Sequence, residues 1–317
     1  MTEKLAVVAI GGNSLIKDNK RVTVEDQYLA AKETTFHIAD MLEAGWNVAI
    51  GHGNGPQVGF ILRRSEIAHR VENMHEVPLD VCGADSQGAI GYALQQTLQN
   101  ELKRRGIKRS VATVITQVLV DKEDKAFKNP TKPIGGFMDE VEAKKREVDL
   151  GWNVVEDSGR GWRRVVASPI PKEVVELPSV KTLLDAGQVV ITVGGGGIPV
   201  IEENGDLKGT AAVIDKDYAS SLLAREIKAD LFIISTAVEK VALNFGKPDE
   251  KRLDKMTLSE AKAYLAEGTH FAKGSMAPKI QAIIWYMEAG GKQALITNPE
   301  NIGRALKGET GTWIMPG

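Results

Sequence analysis

The sequence is poor in the residues that build disulfide frameworks and metal sites. Among its 317 residues there is a single cysteine, Cys82, so no disulfide can form within the chain. The five histidines are widely separated and show no spacing typical of zinc ligands. A disulfide-stabilised fold is therefore excluded, and we expect no metal ion to be held by protein side chains alone.

Long hydrophobic runs and an excess of one charge are also missing. The first apolar run, Leu5–Ile10, is too short for a membrane span or the core of a signal peptide. The 40 basic residues against 42 acidic ones leave a net charge of −2. One basic cluster, residues 160–164, is offset by the acidic residues of 140–149, which favours a solvated surface over a polynucleotide groove. We therefore expect a cytoplasmic protein without membrane or nucleic-acid partners.

The familiar nucleotide-binding signatures are absent as well. No G-x-x-x-x-G-K-[ST] segment occurs, and the nearest approach to G-x-G-x-x-G, at residues 53–59, has the wrong spacing. A dinucleotide-dependent dehydrogenase is therefore a poor match. If phosphate is bound, it must be bound by another glycine geometry.

What the sequence does contain is glycine turns directly after buried strands. An apolar run at 188–193 leads into Gly194–Gly197, Leu5–Ile10 leads into Gly11-Gly12, and the run at 46–50 leads into the glycines of 51–55. Glycine amides can approach an anion closely, although an ordinary tight turn is the alternative for each segment. Three such turns at the carboxyl ends of parallel strands predict an α/β fold with its ligand at that edge. We expect a three-layer αβα sandwich around a mainly parallel sheet.

The chain is longer than one hydrophobic core usually serves, which predicts two lobes around a shared sheet. We place the first lobe at 1–188 and the second at 189–317. Within the first lobe, residues 121–171 are polar and contain several prolines and glycines. A structureless loop of this length is uncommon in a compact domain, so we expect a small protruding subdomain that acts as a lid. Its expected core is a ribbon of two strands.

Three lysines occupy positions at which the predicted fold gives no reason for a positive charge. Lys216 lies between Asp215 and Asp217 at the start of a predicted helix, where the helix dipole disfavours positive charge, and this suggests an anionic ligand. Lys279 lies in the first turn of another predicted helix. Lys132 is followed by a proline in the inserted segment, which restricts its backbone, although an ordinary exposed lysine fits the composition equally well.

Eight segments spread along the chain form a characteristic set. They are GGN at 11–13, GNGPQVG at 53–59, SQGAIGY at 86–92, KPIG at 132–135, Ala-Ser-Pro at 167–169, GGGGIPV at 194–200, AVIDKD at 212–217 and GSMAPK at 274–279. With these segments the chain resembles carbamate kinases, of the amino-acid kinase superfamily, from end to end. The inserted segment is similar to the protruding subdomain that is typical of these enzymes, and one departure is Gly136, where the expected pattern has proline.

The resemblance implies reversible phosphoryl transfer between ATP and carbamate, giving ADP and carbamoyl phosphate. It further implies a homodimer, a place in arginine metabolism, and Mg²⁺ held mainly by the nucleotide phosphates rather than by the protein. The implied residues for carbamate and phosphoryl binding, through backbone amides, are Gly11, Gly12, Asn13, Gly53, Asn54 and Gly55. Those implied for the nucleotide are Gly195, Gly196, Asp215, Lys216, Met276 and Lys279. The implied catalytic residues are Lys132, Lys216, Lys279 and Asp217.

Two other functions are compatible with the same features. The first is another amino-acid kinase that makes an acyl phosphate on a larger acid, which would need room for a side chain. The second is a nucleotide sensor, which would bind ADP without moving phosphate.

Overall fold

The computed structural model describes residues 4–12, 15, 21, 23–157, 159 and 161–317. The strands of these residues are β1 (Lys4–Ile10), β2 (Trp46–His52), β3 (Val111–Thr113), β4 (Gln117–Val120), β5 (Lys132–Met138), β6 (Asn153–Glu156), β7 (Trp162–Val166), β8 (Pro171–Val174), β9 (Val189–Ile191), β10 (Ile198–Glu203), β11 (Asp206–Gly209), β12 (Leu231–Ser235), β13 (Val241–Leu243), β14 (Lys251–Leu253), β15 (Lys255–Thr257), β16 (Ala294–Thr297) and β17 (Thr312–Met315). The helices are α1 (Val24–Glu43), α2 (Gln57–Glu72), α3 (Leu79–Arg104), α4 (Lys125–Lys128), α5 (Glu140–Leu150), α6 (Leu177–Asp185), α7 (Lys216–Glu226), α8 (Leu258–Glu267), α9 (Met276–Glu288) and α10 (Ile302–Leu306). None of the helices described is long and apolar enough to cross a membrane.

Eight strands form the central sheet, in the order β15-β17-β16-β12-β1-β2-β9-β3. All neighbouring pairs are parallel except β16 and β17, which confirms the predicted mainly parallel sheet. The three strands predicted to end in glycine turns, β1, β2 and β9, are neighbours in this order. Because parallel strands end at the same edge, their three turns lie side by side.

The sheet is buried on both faces, as the continuous apolar strands predict. Along β1, Val7 and Ala9 face a core that includes α6, α7, α8 and α9. The alternate residues Ala6, Val8 and Ile10 face a second core with α1, α3 and α10. The helices therefore form a layer on each side of the sheet, and the predicted three-layer sandwich is confirmed.

One predicted strand is wrong in detail. We expected Val111 to Val120 to form a single strand, but the chain leaves the central sheet after β3 and enters a second sheet, in the order β11-β10-β4-β8, at β4. The break is fixed by buried hydrogen bonds at Thr116, whose amide donates to Gln87 Oε1 over 2.8 Å and whose hydroxyl lies 2.8 Å from that of Thr192. Apolar character alone does not reveal such a change of sheet, because both strands are buried.

The inserted segment forms a subdomain, here called the lid, that contains β5, β6, β7 and α5. Its sheet has the order β5-β7-β6, so the predicted two-stranded ribbon is present but carries a third strand. Lys132 pairs with Val166 and Ile134 with Arg164 across β5 and β7. Helix α5 is capped by Asp139, which accepts from the amide of Glu142 over 2.8 Å.

Candidate active site

A cavity of about 240 Å³ lies at the edge of the sheet where the glycine turns meet. Ten of the residues predicted from the sequence line this cavity, although they come from six separate parts of the chain. They are Gly12, Gly53, Asn54, Gly55, Lys132, Gly195, Asp215, Lys216, Asp217 and Lys279.

Three of the predicted site residues that the structure describes are not among those that line the cavity. The amide of Gly11 donates to the carbonyl of Ser235 over 3.0 Å, so this donor is used within the fold. Gly196 lies against the backbone of Ile214, and Met276 packs against the core of the second lobe at the start of α9. Asn13 lies outside the described residues.

Two glycines are required where the turns approach each other. Gly195 has φ +66°, which strains any residue with a side chain, and a Cβ there would overlap the side chain of Asn54. A Cβ on Gly12 would lie 2.7 Å from the carbonyl oxygen of Gly55. The absence of side chains therefore lets the turns after β1, β2 and β9 converge on one small space.

The carboxylate of Asp217 holds two lysines in place. Lys216 Nζ lies 2.5 Å from Asp217 Oδ1 and Lys279 Nζ lies 2.8 Å from Asp217 Oδ2, so each oxygen accepts from a different lysine. Asp217 is 2% exposed, and the two lysine side chains are 13% and 14% exposed. One buried carboxylate therefore fixes two ammonium groups beside each other, although their residues are 63 positions apart in the sequence.

The electrostatics of this cluster favour a charged carboxylate. Burial alone would raise the pKa of Asp217, but Lys216 and Lys279 outweigh burial and lower it. Burial lowers the pKa of Lys216, and repulsion by Lys279 lowers it further. Burial would also lower the pKa of Lys279, but Asp217 raises it overall. The pair of cations shares one counter-charge, and the cluster is therefore suited to a further anion.

Asp215 performs two tasks at the start of α7. Its Oδ1 accepts from the amide of Asp217 over 2.9 Å and so caps the helix, as the sequence predicts. Its Oδ2 accepts from Lys132 Nζ of the lid over 2.7 Å. Burial would raise the pKa of Asp215, but Lys132 holds it well below its usual range. Lys132 thus lines the cavity and is not an ordinary exposed lysine, a choice that the sequence alone did not decide.

Three helices begin at the cavity wall. Pro56 and Val58 at the start of α2, Asp215 to Asp217 at the start of α7, and Ser275 and Pro278 at the start of α9 all line it. The amino-terminal end of a helix carries partial positive charge and unpaired amides. Together with the lysines, this arrangement favours anions such as phosphate.

From the sequence, Ser86 and Gln87 could either reach the ligand edge or serve as caps at the start of a helix; in the structure they support the cavity wall from behind. Gln87 donates from Nε2 to the carbonyls of Thr116 and Gly194 over 3.0 and 2.9 Å, and thereby holds the glycine turn after β9. Ser86 donates to Gly83 and lies 3.2 Å from Asn54 Nδ2, which donates to it. These residues lie well inside α3, so they are not helix caps. Their contacts are to the fold, and no local sequence signal distinguishes them from packing residues.

His52 at the end of β2 is 1% exposed and lies against Gly194. Its Nδ1 is 2.9 Å from the carbonyl of Gly53, which can only accept, so Nδ1 carries a proton. Burial lowers the pKa of His52 to about 4, with the Gly53 carbonyl opposing the shift. The ring is therefore neutral at physiological pH and serves the packing of the turns.

One cation of the cavity wall, Arg163, was not predicted from the sequence. Arg163 of β7 lines the cavity from the lid, donates to the carbonyl of Gly135 over 3.1 Å and pairs with Asp157 at 3.2 Å. It was hidden in the basic cluster of 160–164, which was assigned to solvent. Its position depends on the pairing of β5 with β7, which composition does not predict.

The two carboxylates of the cavity are already paired. Asp217 accepts from two lysines, and Asp215 accepts from Lys132 and a backbone amide. Within the described part of the chain no group of three or more histidine, cysteine or carboxylate side chains is arranged to hold a metal ion. Both carboxylates that line the cavity are therefore engaged by lysines in this structure.

The chain is similar to known proteins of one family along most of its length. The model of the amino acid kinase family matches residues 4–298. The chain is 50% identical to the carbamate kinase of Thermococcus kodakarensis, with 98% of this chain and 99% of that protein covered, and 50% identical to the carbamate kinase-like protein YahI of Escherichia coli, with 99% of each covered. The structure of the carbamate kinase from Giardia lamblia bound to AMP-PNP matches with a TM-score of 0.92 and 42% identity, covering 100% of this chain and 99% of that one. The chain belongs to the amino acid kinase family and, within it, groups with the carbamate kinases.

Proposed function

We propose that this protein catalyses the reversible transfer of a phosphoryl group between ATP and carbamate, which gives ADP and carbamoyl phosphate. The observation that carries the proposal is the clamp of Asp217, which fixes Lys216 and Lys279 in a cavity that Lys132 of the lid also lines. It is supported by the similarity to named carbamate kinases, including one that binds AMP-PNP. The chain is a phosphotransferase, and carbamate would supply the carboxyl group that accepts phosphate.

The mechanism needs positioning and charge neutralisation more than covalent chemistry. In phosphoryl transfer the transferred group carries negative charge on its equatorial oxygens, and both reactants here are anions. Lys216 and Lys279 would neutralise this charge directly. Because Asp217 orients them before the substrates arrive, little reorganisation is needed during the reaction. The attacking and leaving oxygens would lie in line across the cavity.

The glycine turns would hold the carbamate and the transferred phosphoryl group. The amide of Gly53 donates to the carbonyl of Ile10 over 2.9 Å, and that of Gly11 is also engaged, so Gly12, Asn54 and Gly55 are the better candidates for backbone donors. Gly53 instead leaves room for the side chain of Lys216, whose Cδ lies 3.1 Å from the position that a Cβ on Gly53 would take. Small anions can thus approach the backbone closely.

The nucleotide side would be formed by the second lobe, residues 189–317, and the carbamate side by residues 1–188. Gly195, Lys216 and Lys279 would contact the nucleotide phosphates. Mg²⁺ would enter with those phosphates and offset their charge, since the carboxylates of the cavity are held by lysines. The steps assigned to the protein therefore rest on its lysines and amides.

One coupled assay tests the proposal. The protein is mixed with ADP, Mg²⁺ and carbamoyl phosphate, and ATP is measured with a reporter enzyme. We expect ATP to form, and we expect ATP with acetylglutamate, aspartate or UMP to give no ADP above background. Equal turnover on one of these acceptors would favour another amino-acid kinase. Binding of ADP without any phosphate transfer would favour a nucleotide sensor.

The resemblance also extends to a homodimer, which we propose here. Large apolar side chains are exposed along α1 and α3, including Leu29 at 59%, Phe36 at 48% and Tyr92 at 58%. Because α1 and α3 pack against each other, these exposed side chains are candidates for an interface between protein chains. Light scattering during size-exclusion chromatography tests the assembly, and a monomeric mass would contradict it. Cytoplasmic location and a place in arginine metabolism remain predictions.

A further inference from the structure

The lid contacts α2 at two places. At the first, the backbones touch: a Cβ on Gly59 would lie 2.5 Å from the Cα of Gly135 in β5. At the second, seven residues further along α2, Glu66 faces two arginines of the lid. Seven helical residues rise roughly 10 Å, so the two contacts are well separated on α2.

Glu66 engages the lid through two different elements. Its Oε1 lies 3.6 Å from Arg164 of β7, and its Oε2 lies 4.0 Å from Arg146 of α5. The guanidinium groups of these arginines lie 4.6 and 4.8 Å from the ring of Trp152, which joins α5 to the lid sheet. Because both arginines also pack on Trp152, the carboxylate of Glu66 in α2 contacts a part of the lid that is held together as one unit.

The position of Glu66 is connected to that of Lys132 by the lid sheet. Arg164 is the cross-strand partner of Ile134, and Lys132 is the partner of Val166 two residues further along β7. Gly135, the point of close contact with α2, is three residues from Lys132 in β5. A rotation of the lid about the contact of Gly59 with Gly135 would therefore move Lys132 relative to Lys216 and Lys279.

We propose that Glu66 is a positioning residue, which sets the orientation of the lid about the Gly59–Gly135 contact and thereby places Lys132 in the cavity. This inference rests on the proposed phosphoryl transfer for its kinetic consequence. Its structural consequence, a lid that is held less firmly without the carboxylate, is independent of any activity. The side chain of Glu66 is 20% exposed, so solvent screens its ion pairs less than it screens fully exposed ones.

The main test is a double-mutant cycle with Glu66→Gln, Lys132→Ala and the combined variant. Glu66→Gln keeps the shape of the side chain and removes its charge. We expect a roughly tenfold lower kcat for ATP formation with unchanged ADP affinity, because a displaced cation weakens the transition state and leaves the nucleotide side intact. In the Lys132→Ala background, Glu66→Gln should have no further effect, since the residue through which it acts is gone. Glu72→Gln, on an exposed position of α2, is the matched control and should match the wild type.

Hydrogen exchange gives the readout that does not depend on catalysis. We expect amides of α5 and β7 to exchange faster in Glu66→Gln, with α7 and α9 unchanged. Multiplicative losses in the double mutant, or exchange in the lid equal to that of the wild type, would overturn the proposal. Wild-type protein that forms no ATP would instead overturn the proposed function, and the exchange result would still decide the role of Glu66.

Discussion

Lys132 in the lid donates a hydrogen bond of 2.7 Å to Asp215, which caps α7 at the other side of the cavity. The bond joins residues 83 positions apart and crosses the space in which the substrates would react. The ammonium group of Lys132 has one carboxylate partner and lines the cavity, so it can also bind an anion of higher charge that enters there. Lys132 can therefore exchange Asp215 for a substrate when one binds, and its orientation is prepared in advance.

The first prediction concerns this lysine. Lys132→Ala should lower kcat for ATP formation by roughly 10²-fold, by analogy with the loss of one preorganised donor. Calorimetric ADP affinity should stay near that of the wild type, because the proposed nucleotide side is formed by residues 189–317. Lys172→Ala is the control: Lys172 also lies 2.7 Å from an aspartate, Asp121, but both side chains are exposed. A parallel loss of turnover and ADP affinity would show that Lys132 does not act on the carbamate side.

The second prediction concerns Lys216 and Lys279. Replacing either by alanine should cost roughly 10²- to 10³-fold in kcat, since each stabilises charge that is larger in the transition state than in the ground state. Lys262→Ala removes an exposed lysine that pairs with Glu288 on α9, and it should leave turnover unchanged. Near-normal kcat in both active-site variants would mean that the lysines only stabilise the fold.

The third prediction concerns pH. The pKa of His52 is about 4 in the folded protein against an ordinary value of about 6.5, so the unfolded chain binds more protons between these values. Stability is then intact above pH 6.5 and is lost as the pH falls through this window, by about 3 kcal/mol in total. His52→Asn keeps a donor for Gly53 and cannot titrate. The midpoint of urea unfolding, measured from pH 7 to pH 4, should therefore fall more steeply in the wild type. Parallel curves would show that His52 titrates normally.

Much of the fold could be predicted because the deciding signals are local. The apolar run Leu5–Ile10 predicts a buried strand, and the structure confirms it as β1. Thr23 with Asp26 three residues later predicts a capping box, and the residues of 258–267 predict a helix; both are present, at the start of α1 and as α8. The helix α5 was not predicted from the sequence because most of its residues are polar, although Asp139 and Gly151 mark its ends. Polar helices give no strong periodicity, and such signals are easily assigned to a loop.

The candidate site could be predicted only in part, because its contacts are distant in sequence. The doublet of Asp215 and Asp217 around Lys216 is visible locally, and so is the cap that Asp215 provides. The partner of Asp215, however, comes from the lid, and the second partner of Asp217 comes from α9. Arg163 enters the wall only through strand pairing in the lid. These contacts are set by tertiary packing, which a single sequence does not encode in any local pattern.

The last prediction concerns Asp217→Asn, which removes one charge and leaves the side chain the same size. In the wild type the carboxylate offsets two lysines that are largely buried, and removing one partner of such a cluster leaves uncompensated charge. We expect the free energy of unfolding to fall by roughly 3 kcal/mol. Asp254→Asn, which breaks an exposed pair with Lys240, should cost less than about 1 kcal/mol.

A titration with inorganic phosphate shows whether Asp217→Asn destabilises the protein through the lost charge or through altered packing. Phosphate would supply the negative charge that Asp217→Asn lacks, so it should stabilise the variant more than the wild type at the same concentration. The measurement is the melting temperature of both proteins across a phosphate titration, with chloride at matched ionic strength as the reference. If phosphate shifts both proteins equally, the two lysines do not depend on Asp217 for their charge balance, and the clamp at the centre of the proposed mechanism is wrong.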